Sequence, residues 1–269
     1  MNEIAIIMSV YHGDTLNGFK SCIESIYNQK GIKFDTCIGI DGKIDAELNR
    51  YLYTEQKRGK IKIIVAREEN KGLAITLNEM IRKCTLQGYK FLCRMDADDF
   101  MMPYRIEHQH SIFLKNPDLM LVGGSILEDD GHTKRKLSYP GSLEDIESFS
   151  IKRSPFAHMT VMFRSEFFNI AGLYPTDNIR NEDYALWINA IRNKVPMRNV
   201  CEVYCVVRAN SELRSRRLGF NKIVNDAKFR VTAGIATGKF FSSLFYAFSY
   251  LAIMLAPSFV RNIAYNKLR

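Results

Sequence analysis

Three carboxylates, Asp96, Asp98 and Asp99, crowd the end of the apolar run Tyr89-Lys-Phe-Leu-Cys-Arg-Met95. Carboxylates this close repel one another. A divalent cation among them relieves the repulsion, and oxygen donors suit Mg²⁺ or Mn²⁺. Asp96 and Asp98 form a D-x-D pattern. Alternate residues of a strand point to one side, so this pair is predicted to face one ion. The competing reading is a solvated acidic turn before a helix starting near Pro103, with Asp99 as its cap. A second acidic pair, Glu182-Asp183, opens the helical segment Asn181-Glu-Asp-Tyr-Ala-Leu-Trp-Ile188. Acidic residues in a first turn also complement the helix dipole.

Such side chains need a frame, and the first half of the chain supplies one. Strand-like runs are predicted at 4–10, 34–40, 61–66, 89–95 and 119–127, with helical spacing at 15–28, 73–84 and 104–114. This alternation implies a mostly parallel sheet with helices on both faces, whose ligands collect beyond the carboxyl ends of the strands. Ser9, Tyr11, Asp14, Asp41, Arg67, Asn70, Arg94 and Asp96 all fall at or just after those ends. Singly, each reads as a turn residue or cap. No G-x-G-x-x-G or G-x-x-x-x-G-K-[ST] occurs, so dinucleotide and P-loop chemistry lack support. Further on, strands are predicted at 160–164 and 200–208.

The charge is unevenly placed. The chain carries a formal +9, yet residues 1–207 are balanced. Residues 208–269 hold eleven basic side chains against Glu212 and Asp226. That tail also contains 240–260, which has no charged residue and is rich in Phe and Tyr. Its length is marginal for a membrane span, and its serines and Pro257 dilute it. Aromatic residues favour a membrane interface, so an in-plane helix at an anionic surface is expected, against the alternative of a helix packed on its own domain. A nucleic-acid partner fits less well, because the uncharged stretch interrupts the basic tail. No leader peptide is expected from the N-terminal residues. The six cysteines form no C-x-x-C and read as free thiols in a reducing compartment.

Together these residues resemble family 2 glycosyltransferases of the GT-A fold, particularly bacterial enzymes of O-antigen, capsule and exopolysaccharide assembly. The resemblance runs in order through Ser9-Val-Tyr11, Asp41, Asn70-Lys-Gly72 with Asn78, and Arg94-Met-Asp-Ala-Asp-Asp99 with Pro103 and Arg105. It continues through His158-x-x-Val-Met-Phe-Arg164, Gly172-Leu-Tyr174 and Glu182-Asp183. Where many relatives have D-D-G-S-x-D, this chain has Asp41-Gly-Lys-Ile-Asp45, with one acidic residue before the glycine.

The resemblance implies a GT-A domain over 1–210, with a nucleotide-sugar half to about 128 and an acceptor half beyond it. Residues 211–269 would form a helical, membrane-associating segment. It implies Mn²⁺ or Mg²⁺ held by Asp98, with Asp96 on the ribose or on a metal-bound water. Asp41 would contact the uracil base, and Ser9, Tyr11, Asn70, Gly72, Arg94 and Arg208 the rest of the donor. Asp183, beside Glu182, would take the acceptor's proton, and attack opposite the diphosphate would invert the anomeric centre. Arg208, Arg214, Arg216 and Arg217 would meet donor phosphates or lipid head groups. The implied donor is UDP-Glc, UDP-Gal or an N-acetyl form, with dTDP-rhamnose as the alternative. The implied acceptor is a saccharide on undecaprenyl diphosphate at the cytoplasmic face of the bacterial inner membrane. A nucleotidyltransferase shares the parallel sheet and acidic metal ligands, but usually has a glycine-rich basic loop where this chain has Tyr11-His-Gly-Asp14. A non-catalytic sugar-binding relative would not need both acidic pairs.

Overall fold

The structure, a computed structural model, describes residues 2–177, 181–208 and 220–257, without the side chains of Phe220 and Asn221. Its first half alternates as the spacing predicts: β1 (Ile4–Tyr11), α1 (Leu16–Tyr27), β2 (Asp35–Asp41), α2 (Ala46–Lys57), β3 (Ile63–Ala66), α3 (Leu73–Leu86) and β4 (Phe91–Met95). Then follow β5 (Phe100–Met101), α4 (Arg105–Lys115), β6 (Leu121–Asp129), β7 (Lys134–Leu137) and α5 (Leu143–Ser150). A 3₁₀ turn at His158–Thr160 leads to β8 (Met162–Arg164), α6 (Phe167–Ala171), α7 (Glu182–Arg192) and β9 (Met197–Arg208). Two C-terminal helices, α8 (Phe220–Ala236) and α9 (Phe240–Leu255), close the described chain.

The strands form one sheet, ordered β3-β2-β1-β4-β8-β6-β9-β5, with β7 on β6. Only half of it matches the expected parallel sheet. Strands β1 to β4 are parallel. Strand β8 runs antiparallel to both β4 and β6, and β5 antiparallel to β9. The sheet is therefore mixed rather than mostly parallel. The reason is topological: parallel neighbours need a crossover connection, whereas later strands enter between distant partners from either direction.

Period-two alternation in β1 divides the core. Ile4, Ile6, Met8 and Val10 join α1, α2 and α4 on one face, while Ala5 and Ile7 join α3 and α7 on the other. Strand register carries this parity across, since Ile7 lies beside Cys37 of β2 and Arg94 of β4. Ser9, Tyr11, Asp41 and Arg94 therefore share the α3/α7 face. All six cysteines are free, and all but Cys201 are buried.

The C-terminal helices rest on the rest of the molecule. Phe229 and Ala233 of α8 pack with Tyr184, Ala185 and Ile188 of α7 and with Ile151. Gly238, with φ +70°, ends α8 in the left-handed region and turns the chain into α9. Helix α9 packs on α8 through buried Ser243 and Ala247, and leaves Phe241, Phe245, Phe248 and Leu255 exposed. These recur at helical spacing along one face. No helix among the described residues is long and apolar enough to cross a membrane. Arg214, Arg216, Arg217 and residues 258–260 lie outside the described residues.

Candidate active site

Two polar clusters lie at the carboxyl ends of the parallel strands. The first is built around Asp41, the last residue of β2, which is buried. Its two carboxylate oxygens accept the backbone N–H groups of Lys71 and Gly72, each at 2.9 Å. Asn70 Nδ2 donates to its carbonyl at 3.1 Å, and a guanidinium nitrogen of Arg67 lies 3.5 Å from its carboxylate. Arg67 also contacts Thr76 Oγ1 on α3. Gly72, at φ +93°, begins α3 from a conformation that glycine adopts without strain. Gly42 likewise allows close approach, because a Cβ there would meet Asn70 N at 2.6 Å. Asp41 thus pins the loop 70–72 against the end of β2.

The second cluster surrounds Arg94. Its guanidinium is buried and pairs with Asp96. Its Nε and one terminal nitrogen have no hydrogen-bond partner among the described residues. The D-x-D lies in the turn after β4, not within a strand. The expected strand alternation therefore does not aim Asp96 and Asp98; the turn does. Asp98 is exposed and Asp96 partly so. Asp99 is buried, and burial pushes its carboxyl well above the usual range, with Asp96 and Asp98 adding to the shift. It does not cap a helix: α4 begins after Tyr104, whose backbone is left-handed, with no side-chain cap. Among the described residues, no three His, Cys, Asp or Glu side chains gather as a ready-made cation site. Two hard carboxylates at a rim still fit Mg²⁺ or Mn²⁺ that shares its coordination with substrate phosphate and water.

Beneath the turn, α4 braces the sheet. Arg105 Nη2 donates to the carbonyl of Arg94 at 2.9 Å, and Gln109 Nε2 to those of Val122 and Thr160. Arg105 is thereby a structural residue. Asn78 is another, exchanging two hydrogen bonds with the backbone of Tyr174. That holds the Tyr174 hydroxyl 2.8 Å from His158 Nε2. Burial, then the nearby Arg94 charge, keeps the His158 imidazole neutral.

Glu182 and Asp183, in the first turn of α7, lie within the electrostatic reach of the same guanidinium, whose charge both carboxylates feel. Burial raises the pKa of each, more than the neighbouring hydrogen bonds and cations lower it. Ser154 Oγ donates to Asp183 at 3.4 Å. The structure thus joins Arg94, Asp96, Glu182 and Asp183 across 89 residues of chain. Strand order separates Asp41 from this group by two strand spacings, about 10 Å. Ser9 and Tyr11, on the intervening strand, stand between them. Tyr11 N–H donates to Asp14 at 2.9 Å, closing the turn after β1. Arg208 ends β9, two positions past the Val206 that pairs with Phe100, while Asp98 stands two positions before Phe100. Register therefore puts Arg208 near the acidic turn. His158 and Tyr174 entered the sequence reading only as motif matches. Their proximity, and Lys222 described below, have no local signal because they arise from packing.

A mixed α/β sheet thus carries two polar clusters at the carboxyl ends of its parallel strands, and the comparisons say which family builds on such a frame. The model of glycosyl transferase family 2 matches residues 5–173. The chain therefore belongs to that family, and its relatives include bacterial polysaccharide glycosyltransferases. The amylovoran biosynthesis glycosyltransferase AmsE of Erwinia amylovora is 29% identical over 98% of both chains. The UDP-Gal:alpha-D-GlcNAc-diphosphoundecaprenol beta-1,3-galactosyltransferase of Escherichia coli is 27% identical over 84% of this chain and 81% of its own. Among solved structures, the mannosyltransferase PcManGT from Pyrobaculum calidifontis, in complex with GDP-Man and Mn²⁺, superposes with TM-score 0.61. It is 14% identical, and the match covers 98% of this chain and 79% of that one. This likeness supports the GT-A-like fold. Family membership sets aside the nucleotidyltransferase reading.

Proposed function

We propose that the chain is a metal-dependent, inverting hexosyltransferase of surface-polysaccharide assembly. It would move a sugar from UDP-Glc, UDP-Gal or an N-acetyl form to a saccharide on a lipid diphosphate. The observation that carries this reading is the convergence, around buried Arg94, of the acidic turn after β4 and the Glu182–Asp183 pair of α7. In it, Asp41 and the loop 70–72 receive the base, with Ser9 and Tyr11 along the nucleoside. Asp98 and Asp96 hold Mn²⁺ or Mg²⁺, and Arg94 and Arg208 add positive charge near the diphosphate. The bound cation would stabilise negative charge on the leaving nucleoside diphosphate. Asp183 accepts the proton of the acceptor hydroxyl as that oxygen bonds to C1 and the C1–O bond to phosphate breaks. Attack from the face opposite the diphosphate turns an α-linked donor into a β-linked product.

The lipid part of the acceptor is matched by the aromatic face of α9 and by the basic tail. Both suit an anionic membrane surface, at the cytoplasmic face of the inner membrane. The E. coli relative, a galactosyltransferase named for its GlcNAc-diphosphoundecaprenol acceptor, supports this choice.

The test is a donor panel against synthetic GlcNAc- and GalNAc-diphosphate-lipids with Mn²⁺, read by mass spectrometry. Transfer that stops in excess EDTA and returns with Mn²⁺ is expected. Asp98→Ala should abolish it without unfolding the protein, because the side chain is at the surface. Full transfer in metal-free buffer would reject the metal-dependent reading, and dTDP-rhamnose as the sole active donor would replace the assignment to UDP-Glc, UDP-Gal or an N-acetyl form.

A further inference from the structure

Lys222 of α8 lies against the start of α7. Its Nζ donates to Asn181 Oδ1 at 2.7 Å and to Asp226 Oδ1 at 2.6 Å. Asn181, the residue before Glu182 and Asp183, is buried. Asp226 is held in turn by the Tyr250 hydroxyl of α9 at 2.8 Å. Arg230, which donates to the Asp226 carbonyl at 2.7 Å, lies 3.7 Å over the Tyr250 ring. A continuous polar chain therefore runs from α9 through α8 to the acidic first turn of α7.

The placement of Lys222 goes against local helix energetics. A lysine four residues before an aspartate is the weaker orientation of such a pair. Both partners are also mostly buried, at 18% side-chain exposure each, so the charge forgoes hydration. What offsets that cost lies across the interface: the Asn181 amide oxygen and the Glu182–Asp183 carboxylates, both of which feel the ammonium.

We propose that Lys222 is a positioning residue for the transfer reaction: clamped between Asn181 and Asp226, it fixes the start of α7 and sets a positive charge beside Asp183, making the C-terminal helices part of the acceptor side of the site. The proposal rests on Asp183 being the proton acceptor. Among the described residues, the charged or titratable groups that interact with Asp183 are Arg94 from β4, Tyr174 from the segment before α7, Glu182 and Tyr184 from its own helix, and Lys222 and Asp226 from α8. Arg94 and Lys222 are the cations among them. Removing Lys222 leaves Asp183 easier to protonate, so the enzyme should lose activity at a higher pH on the acid side.

The experiment compares full-length wild type, Lys222→Met, Lys222→Arg and Asp183→Asn with the donor and lipid acceptor that give turnover. Lys222→Met should lower kcat with donor KM within about twofold, since the donor's base and phosphates lie elsewhere. Its acid limb should move up by as much as about one pH unit, and Lys222→Arg should bring the limb back. Should Lys222→Met not fold, Lys222→Gln keeps an N–H donor without the charge and carries the same expectation. A wild-type acid limb in the uncharged variants, with Asp183→Asn inactive, overturns this proposal alone. A kcat loss that Lys222→Arg fails to restore also overturns it. Wild-type turnover by Asp183→Asn overturns both the base assignment and the role of Lys222.

Discussion

In its proposed role as proton acceptor Asp183 must be ionised, and burial raises its pKa. As pH falls through that raised value the carboxylate is protonated and turnover stops. The acid limb of kcat is therefore expected above the ordinary aspartate range near about 3.9. Asp183→Asn should lose about 10²–10⁴-fold in kcat while donor binding, followed by calorimetry, persists. An acid limb at the ordinary carboxylate value would mean that another group takes the proton. Asp41 has a structural role beside the proposed contact with the base: its carboxylate accepts two backbone N–H groups of the loop 70–72. As a contact to the base, Asp41→Ala should raise donor KM more than it lowers kcat, and it should also cost about 1–3 kcal/mol of stability through the lost hydrogen bonds from the loop 70–72 to a charged carboxylate. Both are measurable, by kinetics and by thermal melting. An unchanged donor KM would confine Asp41 to the loop.

At the scale of elements, the sharpest test is where α8 and α9 touch. A Cβ on Gly234 would collide with the Cβ and Oγ of Ser243. In an unpacked helix Gly→Ala gains about 0.5–1 kcal/mol. Here overpacking should reverse the sign and cost about 1–3 kcal/mol, seen as a lower melting temperature for Gly234→Ala. A rise would show that the two helices are not held in close contact.

The same elements mark what was legible beforehand. Strands β1 to β4 and helices α1, α3 and α4 announced themselves through apolar periodicity. Helix α2 did not: it buries only Leu48, Leu52 and Glu55, and most of its other side chains are polar. One signal was present, since Asp45 accepts the N–H groups of Glu47 and Leu48 as a proper N-cap. Strand β5 is two residues long and exists by pairing with β9, which no local pattern encodes. Residue type alone marks the D-x-D, but not its place in a turn, because the preceding apolar run has no stop signal of its own. The approach of Glu182 and Asp183 to Arg94 depends on tertiary packing. It was accessible only through family resemblance.

For the whole molecule, the exposed residues Phe241, Phe245, Phe248 and Leu255 and the basic C-terminal region act in one direction. At an anionic bilayer each basic residue near the surface adds about 1 kcal/mol, and buried aromatic area adds to it. Full-length protein should float with vesicles containing anionic lipid. A Phe241→Ser, Phe245→Ser, Phe248→Ser variant should float much less, and high salt should weaken both. Equal flotation of the two proteins would leave the aromatic face without a lipid role. A chain ending near Gly238 should be more soluble but would lack Tyr250, so its acid limb serves as a separate check on the polar chain to α7.

With the proposed membrane contact, the aromatic face of α9 would also change what substrate concentration means. An enzyme lying on a bilayer meets a lipid-borne acceptor by diffusion in two dimensions, at a local concentration set by the membrane and not by the test tube. Diluting the whole vesicle suspension should then leave turnover per bound enzyme nearly constant. Adding inert lipid at fixed bulk acceptor should lower it in proportion to the acceptor's mole fraction. A water-soluble acceptor analogue would follow bulk concentration instead, so the two substrates would separate a surface search from a volume search in the same preparation.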